Sequence, residues 1–159
     1  MPSALLMDIG TIDISNITLD KEKIRSLIPH RYEMEQIDAV LKFDKDNRLI
    51  VGIKNVRSDE FWVRGHIPGR PLLPGVLMVE SAAQLASILS CLLGISQKDK
   101  FMGFSGIDKV KFRGTVIPGD KLITLIKCTD LNNRRAIFEA QGIANGKLVF
   151  EGTITGMMI

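Results

Sequence analysis

A long apolar run, residues 76–95, constrains the fold of this chain more than any other feature. Glu80 is its only charged residue, and Gly94 stands where the end of a helix favours glycine. A helix of that length reaches about 30 Å and could cross a membrane. However, Glu80 and Gln84 near its start, three serines and the lack of flanking basic clusters argue against a membrane span. We therefore predict a buried helix, apolar nearly all round and enclosed by a sheet.

The segments on both sides of this run have the patterns of β-strands. Two strands are predicted before it, at residues 36–43 and 48–56, and four after it, at residues 107–113, 121–129, 134–144 and 147–156. Short connections between consecutive strands imply mostly antiparallel pairing. The prediction is one α+β domain, residues 1–159, in which an antiparallel sheet wraps around the long helix.

The start of the chain is less regular. Residues 1–19 show no period and are predicted to form an N-terminal arm or an edge segment. Asp20 is a suitable N-cap for a short helix, Lys21 to Leu27, which must end before Pro29 because the residue ahead of a proline avoids helical angles.

The hairpin between the last two strands can be assigned a register. A two-residue loop at Asn145-Gly146 would place Gln141 opposite Phe150 and mix the two faces. We predict instead a three-residue loop, Asn145-Gly146-Lys147, with a bulge. The expected pairs are Ala144 with Leu148, Gly142 with Phe150, Phe138 with Ile154 and, on the solvent side, Gln141 with Glu151 and Glu139 with Thr153.

Composition excludes several classes of protein. The net charge is only +3 and no run of Lys or Arg marks a nucleic-acid surface. The two cysteines lack CxxC spacing and there are only two histidines, so we expect neither a disulfide nor a metal site. The first residues lack the basic start of a signal peptide, which favours a cytoplasmic protein with free thiols.

The residues best suited to chemistry are His66 and Glu80. His66 lies in a loop, residues 65–75, that three prolines stiffen and three glycines allow to turn tightly. A carboxyl group on an apolar helix is costly unless it is paired or protonated. That of Glu80 leans back toward the helix start at Gly75, where free N–H groups suit an oxyanion. Gln84, one turn further on, can orient it.

Purely structural interpretations also exist for both residues. His66 could be an exposed histidine in a turn, and Glu80 could form a buried ion pair with Arg64 or Arg70. For His66 taken alone the structural turn would be favoured, but Glu80 changes this balance. For Glu80 we rank the catalytic interpretation above the ion pair.

The segment from His66 to Gln84 resembles the signature of the FabZ/FabA-type β-hydroxyacyl-acyl-carrier-protein dehydratases. That signature is His-x-Pro-Gly-x-Pro-x-x-Pro-Gly-Val followed by an acid, and a glutamate, as here, is typical of the FabZ branch. Further matches follow the family's order from about residue 20 to the end of the chain. They are Ile28-Pro29-His30-Arg31-Tyr32, the segment Gly106 to Arg113, and Pro118-Gly119-Asp120.

This resemblance implies a hot-dog fold and a homodimer, or a trimer of dimers, with the active site at the dimer interface. It implies removal of water from (3R)-hydroxyacyl groups on acyl carrier protein in fatty acid biosynthesis, giving trans-2-enoyl products without a cofactor. His66 of one subunit would meet Glu80 of the other. His66 would take the α-proton, the N–H of Gly75 would bind the thioester carbonyl, and Glu80 would protonate the leaving hydroxyl. Whether His66 performs both transfers stays open.

Other residues are assigned supporting roles. An apolar tunnel for the acyl chain is expected at Leu77, Met78, Val79 and Phe104. Three alternating cations, Lys109, Lys111 and Arg113, form either a docking face for the acidic carrier protein or an ordinary solvated face. His30 is a competing base, which we interpret as structural because no acid stands at a comparable position.

Two segments depart from the family pattern. At residues 33–36 the chain lacks the proline and the apolar residues that are usual in the family. Residues 102–105 include the aromatic residue Phe104 but no gating tyrosine. These departures favour one alternative, a non-catalytic acyl-binding or assembly subunit. The other alternative is a hot-dog acyl thioesterase, which the match of the His66 and Glu80 spacing to the dehydratases disfavours.

Overall fold

One long helix lies against a six-stranded antiparallel sheet in the computed structural model, which describes residues 1–96 and 99–159. The sheet order is β1-β2-β4-β5-β6-β3, so β1 and β3 are its edges. The α+β prediction, with two strands before the long helix and four after it, is confirmed. The elements are α1 Lys21–Leu27, β1 Ala39–Asp44, β2 Leu49–Asn55, α2 Gly75–Leu92, β3 Met102–Phe112, β4 Lys121–Leu131, β5 Arg135–Ala144 and β6 Lys147–Met158, with short 3₁₀ turns at Ile9–Thr11 and Tyr32–Met34.

The helix α2 forms the core of the fold. By length and composition it could cross a membrane, but most of it is buried under the sheet, as predicted. Two of its buried serines, Ser81 and Ser90, donate to helix carbonyls one turn earlier, so their hydroxyl groups need no solvent. A Cβ on Gly52 of β2 would lie 2.9 Å from Leu85, so glycine lets the helix approach the sheet closely.

The helix α1 begins and ends as its sequence predicts. The Asp20 side chain accepts a hydrogen bond from the Lys23 N–H, and the N–H of Ile28 closes the last turn on Ile24. Ile24 and Ile28 are buried in the same core as α2.

The predicted N-terminal arm packs on the outer face of the sheet, opposite α2. Four arm residues cover a second apolar cluster there. Gln141 fixes the arm by accepting from the Leu6 N–H and donating to the Ala4 carbonyl, while Glu151 accepts from Ser3. Gln141 is therefore buried beneath the arm, and placing it on the solvent side is wrong. The covering residues are Leu6, Met7, Ile9 and Ile12, over Ala39, Leu41, Leu49, Val51, Ile53, Leu125 and Ile143.

The hairpin between β5 and β6 differs from its prediction near the turn. The loop has two residues, Asn145 and Gly146, whose φ of 52° and 74° suit the turn that joins tightly paired strands. Ala144 therefore pairs with Lys147, not Leu148, and the three-residue loop is wrong. The register shifts inside the ladder, with Val149 as the extra residue, and the other four predicted pairs are confirmed.

Candidate active site

The loop that carries His66 fixes the orientation of its imidazole ring. The backbone N–H of His66 donates to the Trp62 carbonyl, and the backbone carbonyl of His66 accepts from the Leu72 N–H. The Leu73 N–H donates to the Val116 carbonyl. The ring Nδ1 lies 2.7 Å from the Leu72 carbonyl oxygen. Because a carbonyl only accepts, Nδ1 must carry the hydrogen, and in the neutral ring the lone pair is at Nε2. His66 is exposed, so this lone pair is accessible to a substrate.

The start of α2 presents backbone donors as the sequence predicts. Pro74 provides no side-chain cap, and the N–H groups of Gly75 and Val76 donate to no described residue. A Cβ on Gly75 would lie 2.8 Å from ring carbons of Phe112, so any side chain there would force the Phe112 ring to shift. Phe112 in turn stacks on Phe150, with ring centroids 5.9 Å apart. Gly75 therefore keeps its N–H beside an aromatic wall.

The Glu80 carboxyl group is held by its neighbours on one oxygen. The Gln84 amide donates to Glu80 Oε1 at 2.9 Å, confirming the expected contact one turn apart. His30 Nε2 lies 3.7 Å from the same oxygen. The Glu80 side chain is 30 % exposed, so it is only half-buried. In the described part of the chain neither Arg64 nor Arg70 pairs with it, so the ion-pair alternative is not observed.

The segment that departs from the family pattern helps to build this site. The N–H of Gln36 donates to the Gln84 side-chain oxygen at 3.0 Å, and the Gln84 amide nitrogen donates to the Met34 carbonyl at 2.6 Å. Two backbone groups thus fix the orientation of the Gln84 amide, because a flipped amide would face donor with donor and acceptor with acceptor. Gln84 must therefore donate to Glu80.

Sequence reasoning missed the contact between His30 and Glu80. They are 50 positions apart, and only the packing of the loop after α1 against α2 brings them together. The available signal was the His30 position in a second family motif. The statement that no acid stands at a comparable position is therefore wrong.

A small pocket opens beside Glu80, between α2 and the edge of the sheet. Its walls include His30, Gln84 and the predicted tunnel residue Phe104. The other tunnel residues, Leu77, Met78 and Val79, are not among its walls: Met78 is buried in the core, and the other two pack against that core. His66 does not line this pocket either, so one chain does not bring His66 and Glu80 together in it. The remaining walls are formed by Ala83, Ala86, Ser87, Phe101, Met102, Gly103, Phe138, Ile154 and Gly156.

The three cations predicted for carrier-protein docking have different surroundings. Lys109 and Lys111 are exposed, with Lys109 in a bulge of β3 at φ 53°. Arg113 forms an ion pair with Glu151 and also donates to the Met1 carbonyl. It is therefore part of the attachment of the arm, and only the two lysines remain as free cations of this set.

The other candidate groups show no sign of a reactive centre. Burial raises the pKa of the Cys91 and Cys128 thiols, which disfavours the reactive thiolate. Both cysteines are free. Within residues 1–96 and 99–159, no three His, Cys, Asp or Glu side chains are grouped to hold a metal ion.

The sequence matches the model of the FabA-like domain over residues 28–153. The chain belongs to the FabA-like family. It is 40 % identical to the 3-hydroxyacyl-[acyl-carrier-protein] dehydratase FabZ of Streptococcus thermophilus over 139 residues, 87 % of this chain and 96 % of that protein. It is 41 % identical to FabZ of Streptococcus agalactiae over 137 residues, 86 % and 96 % of the two chains. The arm, residues 1–19, lies outside the match to the FabA-like domain.

Solved structures of lower sequence identity share the fold. The dehydratase heterocomplex ApeI:P from Xenorhabdus doucetiae superposes with a TM-score of 0.71 at 17 % identity, covering 86 % of this chain and 90 % of that one. A mutant thioesterase from Pseudomonas aeruginosa gives 0.67 at 16 % identity, covering 89 % and 95 %. Because hydro-lyases and thioesterases share this fold, its shape alone does not separate the two activities.

Proposed function

We propose that this protein dehydrates 3-hydroxyacyl groups carried on acyl carrier protein, as a FabZ-type hydro-lyase of fatty acid biosynthesis. The observation that carries the proposal is that a chain 40 % identical to FabZ dehydratases over nearly their whole length has both a base and an acid, each oriented by its own hydrogen bond. The acid and the base stand at the two positions where the family signature has them, His66 and Glu80.

The geometry supports one assignment of roles. His66 Nε2 takes the α-proton, and the electron pair of that C–H bond moves into an enolate whose oxygen accepts the Gly75 N–H. The enolate collapses to the Cα=Cβ double bond as the Cβ–O bond breaks. The hydroxyl leaves as water with a proton from Glu80. Transfer of the proton from the His66 imidazolium back to the Glu80 carboxylate, through solvent, restores the enzyme.

The site requires two copies of the chain in this proposal. The edge strand β3 is paired on one side only. Four apolar side chains, two on β3, one at the start of α2 and one in the His66 loop, are about half exposed or more. Association through this surface would bring His66 of one subunit toward Glu80 of its partner and cover these side chains. They are Ile67, Val76, Phe104 and Phe112.

A hydration assay with a crotonyl thioester tests the reaction. Wild type should remove the enoyl absorbance, and His66→Ala and Glu80→Gln should each lose more than about 100-fold in kcat. Release of free thiol instead would indicate a thioesterase. No turnover on crotonyl, decenoyl or hydroxyacyl thioesters would indicate a binding subunit.

Mixed dimers test whether the site is shared. In an equal mixture of co-refolded His66→Ala and Glu80→Gln chains, half of the dimers are mixed, and each mixed dimer has one intact shared site. Activity should return to about a quarter of the wild-type value. If both residues act within one chain, every site in the mixture is defective and no activity returns.

The proposal also includes the surface that docks the carrier protein and the cellular location of this protein. Lys109 and Lys111 are free cations near the open edge, which supports contact with an acidic carrier protein. Lys109→Glu with Lys111→Glu should raise KM for acyl-carrier-protein substrate but leave KM for the coenzyme A thioester unchanged. Free thiols and the carrier-protein substrate support a cytoplasmic location.

A further inference from the structure

We propose that His30 is a positioning residue for Glu80 of its own subunit. Its Nε2–H donates to Glu80 Oε1 and, together with Gln84, leaves Oε2 as the oxygen that carries the transferred proton. This inference rests on the proposed role of Glu80 as the acid. The chain's two histidines would then have different roles. His66 would take the α-proton, and His30 would orient the Glu80 carboxyl group.

The backbone that carries His30 is held firmly. Arg31 donates from one guanidinium nitrogen to the Ile28 and His30 carbonyls and from another to the Arg25 carbonyl at the end of α1. Pro29 restricts the backbone in the same segment. A histidine anchored in this way has few positions available, and the position it occupies is a wall of the pocket beside Glu80.

The tautomer of His30 follows from its surroundings. Nδ1 is buried and has no hydrogen-bond partner among the described residues, whereas Nε2 faces a carboxyl oxygen. An N–H group buried without an acceptor is costly. In the neutral ring the hydrogen is therefore on Nε2, where Glu80 Oε1 can accept it. The 3.7 Å separation exceeds a direct hydrogen bond by about 0.5 Å, and such contacts commonly shorten when substrate binds.

The two donors reach the same oxygen from different elements. Gln84 approaches Glu80 Oε1 from one turn along α2, with its amide fixed by the Met34 and Gln36 backbone. His30 approaches from the loop after α1. Oε1 already accepts from Gln84, and it would accept from His30 as well once the 3.7 Å contact shortens. An oxygen that accepts from two N–H groups is a poor place for a proton, so the acidic hydrogen is then on Oε2.

A matched pair of substitutions tests the inference. His30→Gln can place an amide N–H near the position of Nε2, whereas His30→Met has nearly the same length and no donor. We expect kcat for crotonyl thioester hydration to fall roughly tenfold in His30→Met and to stay within about threefold of wild type in His30→Gln. Equal Tm values show that both variants fold.

A double mutant shows whether His30 acts through Glu80. In a Glu80→Gln background, which retains some measurable activity, His30→Met should cause no further loss, because the group it positions is gone. A further tenfold loss there, or equal losses in the Gln and Met variants, would overturn the inference. Full activity of Glu80→Gln alone would instead refute the acid role on which the inference depends.

Discussion

Replacing Gln84 tests how strongly Glu80, the proposed catalytic acid, depends on the core of the protein. Gln84 is 1 % exposed and makes three hydrogen bonds, to the Gln36 N–H, the Met34 carbonyl and Glu80. In Gln84→Leu the volume is nearly kept, but the backbone N–H of Gln36 and the carbonyl of Met34 lose their partner. The carboxyl group of Glu80 also loses the donor that orients it.

The expected cost follows from these lost partners. A buried polar group left without a hydrogen bond costs about 1–3 kcal/mol, which applies in full to the Gln36 N–H. The Met34 carbonyl is only partly buried, so its loss costs less. The leucine recovers part of this by burying more apolar surface. We therefore expect the free energy of unfolding to fall by about 2–4 kcal/mol and kcat to fall roughly tenfold or more.

Urea unfolding monitored by circular dichroism measures the first effect, and crotonyl thioester hydration measures the second. The control is Ser90→Ala, which removes a buried side-chain hydrogen bond from the same helix but leaves every backbone group with its helical partner. Its cost should stay below about 1 kcal/mol, with unchanged kcat. If the free energy of unfolding of Gln84→Leu is within about 1 kcal/mol of the wild-type value, the argument that the Gln36 N–H and the Met34 carbonyl depend on Gln84 is refuted.

Three further predictions concern the helix start, the arm and the first helix. Gly75→Ala should lower kcat at least roughly tenfold because the new Cβ collides with Phe112. Adding Phe112→Ala should restore part of the lost kcat. An unchanged kcat in Gly75→Ala would contradict the close packing. Although burial opposes it, hydrogen bonds from the arm and an adjacent guanidinium lower the pKa of Glu151, so its stabilising effect is present at neutral pH and is lost in acid. The difference in Tm between wild type and Glu151→Gln should therefore be largest above about pH 5 and decrease below about pH 4. A difference in Tm that does not change with pH would contradict the lowered pKa of Glu151. Asp20→Ala should cost about 1 kcal/mol in urea unfolding through the lost cap on Lys23, and no loss would show that the cap is dispensable.

Local sequence determined the elements because short-range physics decides them. Asp20 is a suitable cap and Pro29 stops the helix, so α1 has the predicted bounds. The apolar run fixed α2 as the core element. The predicted pairs from Gly142 with Phe150 onward are confirmed because a slip by one residue would expose an entire buried face.

Where two local preferences competed, the sequence did not decide between them. Near the turn, Asn145 and Gly146 favour a two-residue loop, whereas the face pattern of the strands requires one extra residue. The structure satisfies both by placing the extra residue at Val149, inside the ladder. Only the paired strands determine where such a bulge costs least.

From the residues alone we could name the candidate groups for the proposed chemistry: a histidine on a proline-rich loop, an acid on an apolar helix and a glycine at the start of that helix. The packing of the whole fold set which side chains are neighbours. It brought His30 to Glu80 across 50 positions, tied Arg113 to Glu151 and covered Gln141 with the arm. These contacts depend on the packing of elements distant in sequence, and no local periodicity or capping preference encodes that packing.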